Sequence, residues 1–143
     1  MKTLWVLLVM ILSLSFSSLV EAVNWVYYIT DNNLNKFYYE AESINHPAKD
    51  IVGVWQKIIY SEAGRKHLLE KNTWIKASDI AQARNFHEVN CITRDHRIKD
   101  ARLFNSSGEI VISESVKTIA WEPIAPESFA DFLYKEVCKK NKP

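Results

Sequence analysis

The chain has 143 residues, with 18 basic and 17 acidic side chains intermixed along it for a formal net charge of +1, three glycines and two cysteines. This length holds one domain with a single modest core, and the balanced charge supplies no domain-wide field for nucleic acid or anionic lipid. Three glycines are too few for a dinucleotide or phosphate-cradling loop, and no serine stands in a Gly-x-Ser-x-Gly elbow, so no catalytic residue and no cofactor is assigned.

The first 22 residues, "MKTLWVLLVMILSLSFSSLVEA", carry one lysine, an apolar run over 4–16 and a small, polar stretch ending in Ala22. That is the layout of a secretory signal peptide cleaved after Ala22. A transmembrane anchor is the alternative, but Ser13, Ser15, Ser17 and Ser18 leave the run short of the roughly 20 apolar residues a span needs. The expectation is an exported domain over 23–143, periplasmic or at the cell surface, with no membrane span. No cysteine lies near the cleavage site to carry a thioether lipid.

"NWVYYIT" and "KFYYEA" are aromatic and β-branched runs separated by the turn formers "DNNLN", which predicts a β-hairpin. After a break at "INHPAKD", where Pro47 should end the preceding element, "DIVGVWQKIIYS" predicts a long strand. Trp25, Tyr27 and Ile29 alternate with Val26 and Tyr28, so both faces of this region are apolar and part of the second face needs cover. Residues 61–83 predict a helical turn or two and a loop, because Gly64, Asn72 and Thr73 weaken the helical pattern.

From Arg84 the chain reads as strand again: "RNFHEVNCI", "RDHRIKDARLFN" and "EIVIS", the last two joined by the turn Asn105–Gly108. "WEPIAP" ends the sheet and launches a last helix, with Pro126 in its first turn and Phe129, Phe132, Leu133 and Val137 on one stripe. Cys138 lies on the flank of that stripe.

In an exported chain an even cysteine count points to a disulfide, and two cysteines allow only Cys91–Cys138. The bond would pin the terminal helix across the sheet. The alternative is a reactive thiol at Cys91 with His87 on the same strand face.

The runs "WVYYIT", "EVNCITRDHRI", "LFNSSGEIV" and above all "WEPIAPESFADFLYKEVC" resemble the surface-adhesin protein E family of exported bacterial domains. The resemblance covers nearly all of residues 23–143. It implies a six-stranded antiparallel sheet whose concave face holds a C-terminal helix through a disulfide. It also implies surface exposure, binding of extracellular host proteins such as vitronectin, laminin and plasminogen, and a homodimer as in the type member. The type member is lipid-anchored, whereas this chain has no cysteine to carry a lipid. The matched residues belong to the framework, so no ligand-contacting position transfers.

Four histidines, His46, His67, His87 and His96, form no close ligand pair and read as solvated surface groups; no metal site is assigned. "RDHR", residues 94–97, reads as a strand surface salt-bridged by Asp95 and Asp100. The aromatic residues Trp25, Tyr27, Tyr28, Tyr38, Tyr39 and Trp55 are candidate interface residues, with sheet core as the competing reading. Together these features predict an α+β fold: a single antiparallel sheet of about six strands with a C-terminal helix packed on one face and tied by a disulfide. The function expected is a non-catalytic binding module of the cell envelope whose partner is an extracellular or envelope protein, or a second copy. A periplasmic accessory or inhibitor protein is the alternative.

Overall fold

The computed structural model describes residues 23–77, 79–115 and 119–139; the expected leader and the basic tail beyond Lys139 lie outside the described residues. Its elements are β1 (Trp25–Thr30), β2 (Lys36–Glu40), a 3-10 turn (Ala41–Ser43), β3 (Asn45–Ala48) and β4 (Ile51–Ile59). They continue with α1 (Glu62–Lys71), β5 (Ile80–Asn90), β6 (Asp95–Asn105), β7 (Ile110–Ser115), β8 (Glu122–Pro123) and α2 (Phe129–Lys139).

All pairings are antiparallel, in the order β1-β2-β4-β5-β6-β7. The two short strands lengthen existing rows. β2 pairs with the Gln56–Ile59 half of β4 and β3 with its Ile51–Gly53 end, so both follow one edge of β4, interrupted by the 3-10 turn. β8 continues β7 along β6 in the same way, pairing at Asp95 and His96. The sheet is thus six strands wide, as the family resemblance implies. β3 is a correction: Pro47 does not end an element but sits inside an exposed edge strand whose ladder partners are Asn45 and Ala48.

The β1–β2 turn is held by Asp31, whose Oδ1 accepts from the backbone N–H groups of Asn33 and Asn35, both at 2.9 Å. Asn35 is buried, and its Oδ1 accepts from the Ser61 N–H at 3.0 Å. Ser61 caps α1 by accepting from Gly64 N–H at 2.9 Å. Here the sequence expectation falls short, since α1 runs ten residues despite Gly64. A Cβ on Gly64 would stand 1.7 Å from Asn35 Oδ1, so the glycine is required for close approach of the turn to the helix.

Alternation along the strands sorts the side chains onto two faces. One carries Phe37, Tyr39, Val52, Val54, Ile58, Ala83 and Val89, all buried, and α2 lies against it. A register shift between Tyr27 and Ile29 turns Tyr28 to this side, where its ring meets Phe37 and Tyr39. α2 begins at Phe129, with Ser128 Oγ accepting from the Asp131 N–H at 3.2 Å, so Pro126 precedes the helix instead of entering its first turn. Its buried residues are Ala130, Asp131, Leu133, Val137 and Cys138. The stripe is therefore rotated from the one expected: Phe129 is exposed and stacks on Phe37, and Phe132 is half-buried beneath the Lys135 ammonium.

Cys91 and Cys138 are joined, with Cα atoms 5.6 Å apart, which excludes the reactive thiol. Cys91 lies just beyond β5, because Asn90 Oδ1 accepts from the N–H groups of Ile92 and Thr93 and turns the chain there. The same turn is fastened to α2 by Arg94, which donates to the buried Asp131 at 2.7 Å, and by Tyr134 Oη, which donates to the Cys91 carbonyl at 3.1 Å.

Candidate functional site

The face opposite α2 holds most of the rings singled out by sequence. Trp25 and Tyr27 come from β1, Tyr38 from β2 and Trp55 from β4, and Tyr27 is 52% exposed. Tyr28 and Tyr39 stand on the other face: Tyr39 is buried in the core beneath α2, and the Tyr28 hydroxyl accepts from Gln56 Nε2 at 2.7 Å. The six rings are therefore not one surface.

Register adds residues that sequence reasoning missed. Lys57 pairs with Arg84, and Arg84 with Arg102, so three cations form one row across β4, β5 and β6. Trp55 pairs with Phe86 in the neighbouring row, their ring centroids 5.3 Å apart. The signal lay in three short strings, Trp55-Gln56-Lys57, Arg84-Asn85-Phe86 and Arg102-Leu103-Phe104, each placing a ring and a cation two residues apart on one strand face. Only the strand register shows that the three strings lie side by side.

The cations rest on the rings. Lys57 Nζ lies 4.5 Å from the Trp25 ring centroid and 4.9 Å from that of Tyr38. The Arg84 guanidinium lies 5.7 Å from Trp25 and 4.8 Å from Phe104, and that of Arg102 lies 5.1 Å from Trp55. Arg102 is also held by Asp100, donating at 2.8 and 3.0 Å. Lys57 and Arg84 form no ion pair among the described residues. Burial and then the adjacent Arg84 charge lower the Lys57 pKa. Arg84 Nε is buried with no hydrogen-bond partner among the described residues. Like charges set opposite one another on a sheet are destabilising, so this row costs the free protein stability. A cleft of about 270 Å³ opens beside it, lined by Trp25, Trp55, Phe104, Arg84, Arg102 and Glu40 among others.

Two expectations about charged groups need correction. The "RDHR" arginines do not pair with Asp95 and Asp100; Arg94 pairs with Asp131 and Arg97 with Glu88, at 2.7 and 2.6 Å. Strand alternation and the β5–β6 turn carry them towards partners distant in sequence. His87 is not a solvated surface residue but fully buried, whereas His46 and His67 are exposed. Its Nε2 lies 3.2 Å from Gln56 Oε1 and its ring stacks on His96 at 6.0 Å. Burial, then the neighbouring His96, lowers its pKa to about 3. Among the described residues no group of three or more His, Cys, Asp or Glu side chains is placed to hold a metal.

A single antiparallel sheet with one helix clasped to it and an aromatic, cationic opposite face defines a small disulfide-bonded α+β domain that presents a sheet surface. More particularly, the chain belongs to the surface-adhesin protein E family, whose model matches residues 25–139. No curated protein and no solved structure matches it. No helix among the described residues is long and apolar enough to cross a membrane.

Proposed function

We propose that the chain is an exported, non-catalytic binding module of the bacterial cell surface that engages an extracellular protein through the sheet face opposite α2. Membership of an adhesin family and the leader-like first 22 residues support export. The observation that carries the binding face is the row of Lys57, Arg84 and Arg102 among Trp25, Tyr38, Trp55 and Phe104. Aromatic residues and arginine are the side chains most enriched where proteins meet. The row also argues about the partner's charge. A two-fold axis through it would set like charges against each other, so an acidic partner fits this face better than a second copy does.

The test is capture of purified laminin, vitronectin and plasminogen by the immobilised domain over 23–143, beside Tyr27→Ser and Trp55→Ala variants. At least one of the three should be retained, and its retention should weaken in the variants. Capture that ignores both changes moves the interface elsewhere. Failure to retain any of them, with a bacterial envelope protein retained instead, favours the accessory-protein alternative.

A further inference from the structure

The cleft beside the cation row has walls, charges and a size that together specify a ligand. Its volume of about 270 Å³ lies just below the range of roughly 300–1,000 Å³ that holds drug-sized molecules. A single six-membered ring with its substituents matches that space. Trp25, Trp55 and Phe104 supply flat apolar surface. Arg84 lies against the Trp25 and Phe104 rings, and neither it nor Lys57 has an anionic partner among the described residues. A guanidinium held against rings has little rotamer freedom left to lose and presents its N–H groups in a fixed plane, the geometry that takes a carboxylate bidentately. Glu40 also lines the cleft, and none of these cations is paired with it. It is an acceptor for a donor on the ligand, and hydroxyl groups on a ring would supply one.

We infer that this cleft binds one acidic sugar residue, of the uronic or sialic acid kind. The carboxylate sits on Arg84 with Lys57 beside it, an apolar ring face lies against the tryptophans, and a hydroxyl donates to Glu40. The inference deepens the proposed function, since it rests on the same sheet face and names a glycan acid as what that face reads. An acid without a ring would leave the aromatic walls unused, and a neutral sugar would leave Arg84 unpaired.

Tryptophan fluorescence of the domain over 23–143 reads the site directly, because Trp25 and Trp55 line it. Sodium glucuronate and sodium N-acetylneuraminate would be titrated at constant ionic strength, with glucose and sodium acetate in parallel. At least one acidic sugar should give a saturable change, with glucose and acetate each weaker by about ten-fold or more. Arg84→Gln should weaken the acidic sugar by a similar factor, and Arg84→Lys, which keeps the charge without the fork, by less. Glucose binding as tightly as the acids, acetate binding as tightly as glucuronate, or no saturable response to either acid would each overturn the inference. These comparisons on the unaltered protein hold whether or not the Arg84 variants fold. Retained capture of a matrix protein beside a failed sugar titration would sink the sugar site and leave the protein-binding reading standing.

Discussion

His87 is neutral in the core because burial penalises its charged form. Its Nε2 faces the Gln56 amide oxygen, which also accepts from Asn85 Nδ2 and can only accept, so that nitrogen carries the proton and Nδ1 is a buried acceptor with no hydrogen-bond partner among the described residues. Charging the ring would put an ion in the buried interior and against His96. In the unfolded chain the imidazole takes up its proton near pH 6.5, while the folded state resists until about 3. The unfolded state therefore binds more protons between those values, and stability present above pH 6.5 is lost as the pH falls through that window. The slope is at most about 1.4 kcal/mol per pH unit. Denaturant melts at about pH 7 and about pH 5 should separate by up to about 2 kcal/mol, and His87→Asn should remove most of the difference. An unchanged difference in the variant would assign the slope to another group. Asp131 acts lower on the scale: the Lys135 hydrogen bond, with Glu127 N–H and Arg94, holds its pKa below the ordinary value. Its contribution is present above about 3.8 and is lost as acid protonates it.

At the scale of elements, α2 is the piece whose docking decides the core. Leu133 and Val137 are fully buried against Tyr39, Val52, Val54 and Val89, whereas Phe132 is only partly covered. Leu133→Ala should cost about 2–5 kcal/mol in denaturant unfolding, while Phe132→Ala should cost clearly less. Equal losses would mean that the helix is rotated from the position described. α1 is anchored by backbone proximity more than by an apolar stripe, since Gly64 is its one buried residue. Alanine at 64 would gain about 1 kcal/mol in helix propensity but must displace Asn35. The net expectation is destabilisation by about 1–3 kcal/mol, read from the same melts. A stabilised Gly64→Ala protein would show that the β1–β2 turn can yield.

For the molecule as a whole, the disulfide, the Arg94–Asp131 ion pair and the Tyr134–Cys91 hydrogen bond all tie α2 to the β5–β6 turn. The disulfide spans a sequence separation of 47. On the chain-entropy account, opening such a loop by reduction removes about 4 kcal/mol. Thiol titration of the denatured, unreduced domain should find no free thiol, and melts with and without reductant should differ by about that amount. Two free thiols would end the clasp as a feature of the protein in solution. The charge row on the open face sets a further expectation: sedimentation at micromolar concentration should give a monomer. A stable dimer that dissociates on Trp55→Ala would instead place a second copy on that face, and the like-charge argument would fail.

Local patterns were sufficient for much of this fold. Alternating aromatic and β-branched runs placed β1, β2, β4, β5, β6 and β7. The Asn105–Gly108 turn is present, with Gly108 at φ +82° and its N–H on the Asn105 carbonyl. An even cysteine count was enough to name the Cys91–Cys138 bond. These are properties of neighbours in the chain, and periodicity reports them. β3 and the length of α1 were misread because Pro47 and Gly64 look like breakers until their surroundings are known: an unpaired edge position for one, and the Asn35 amide for the other. The candidate site was half legible. Trp25, Tyr27, Tyr38 and Trp55 stood out as rings, but so did Tyr28 and Tyr39, which the β1 register shift and strand alternation carry under α2. Lys57, Arg84 and Arg102 are unremarkable charges in a neutral chain, and His87 resembles any other histidine. Side-chain composition and period determined which segments are strands and which cysteines join. Which face each ring occupies, that three cations stand in one row, and that His87 is sealed from water were decided by strand register and tertiary packing, because those depend on residues far apart in the chain meeting across the sheet.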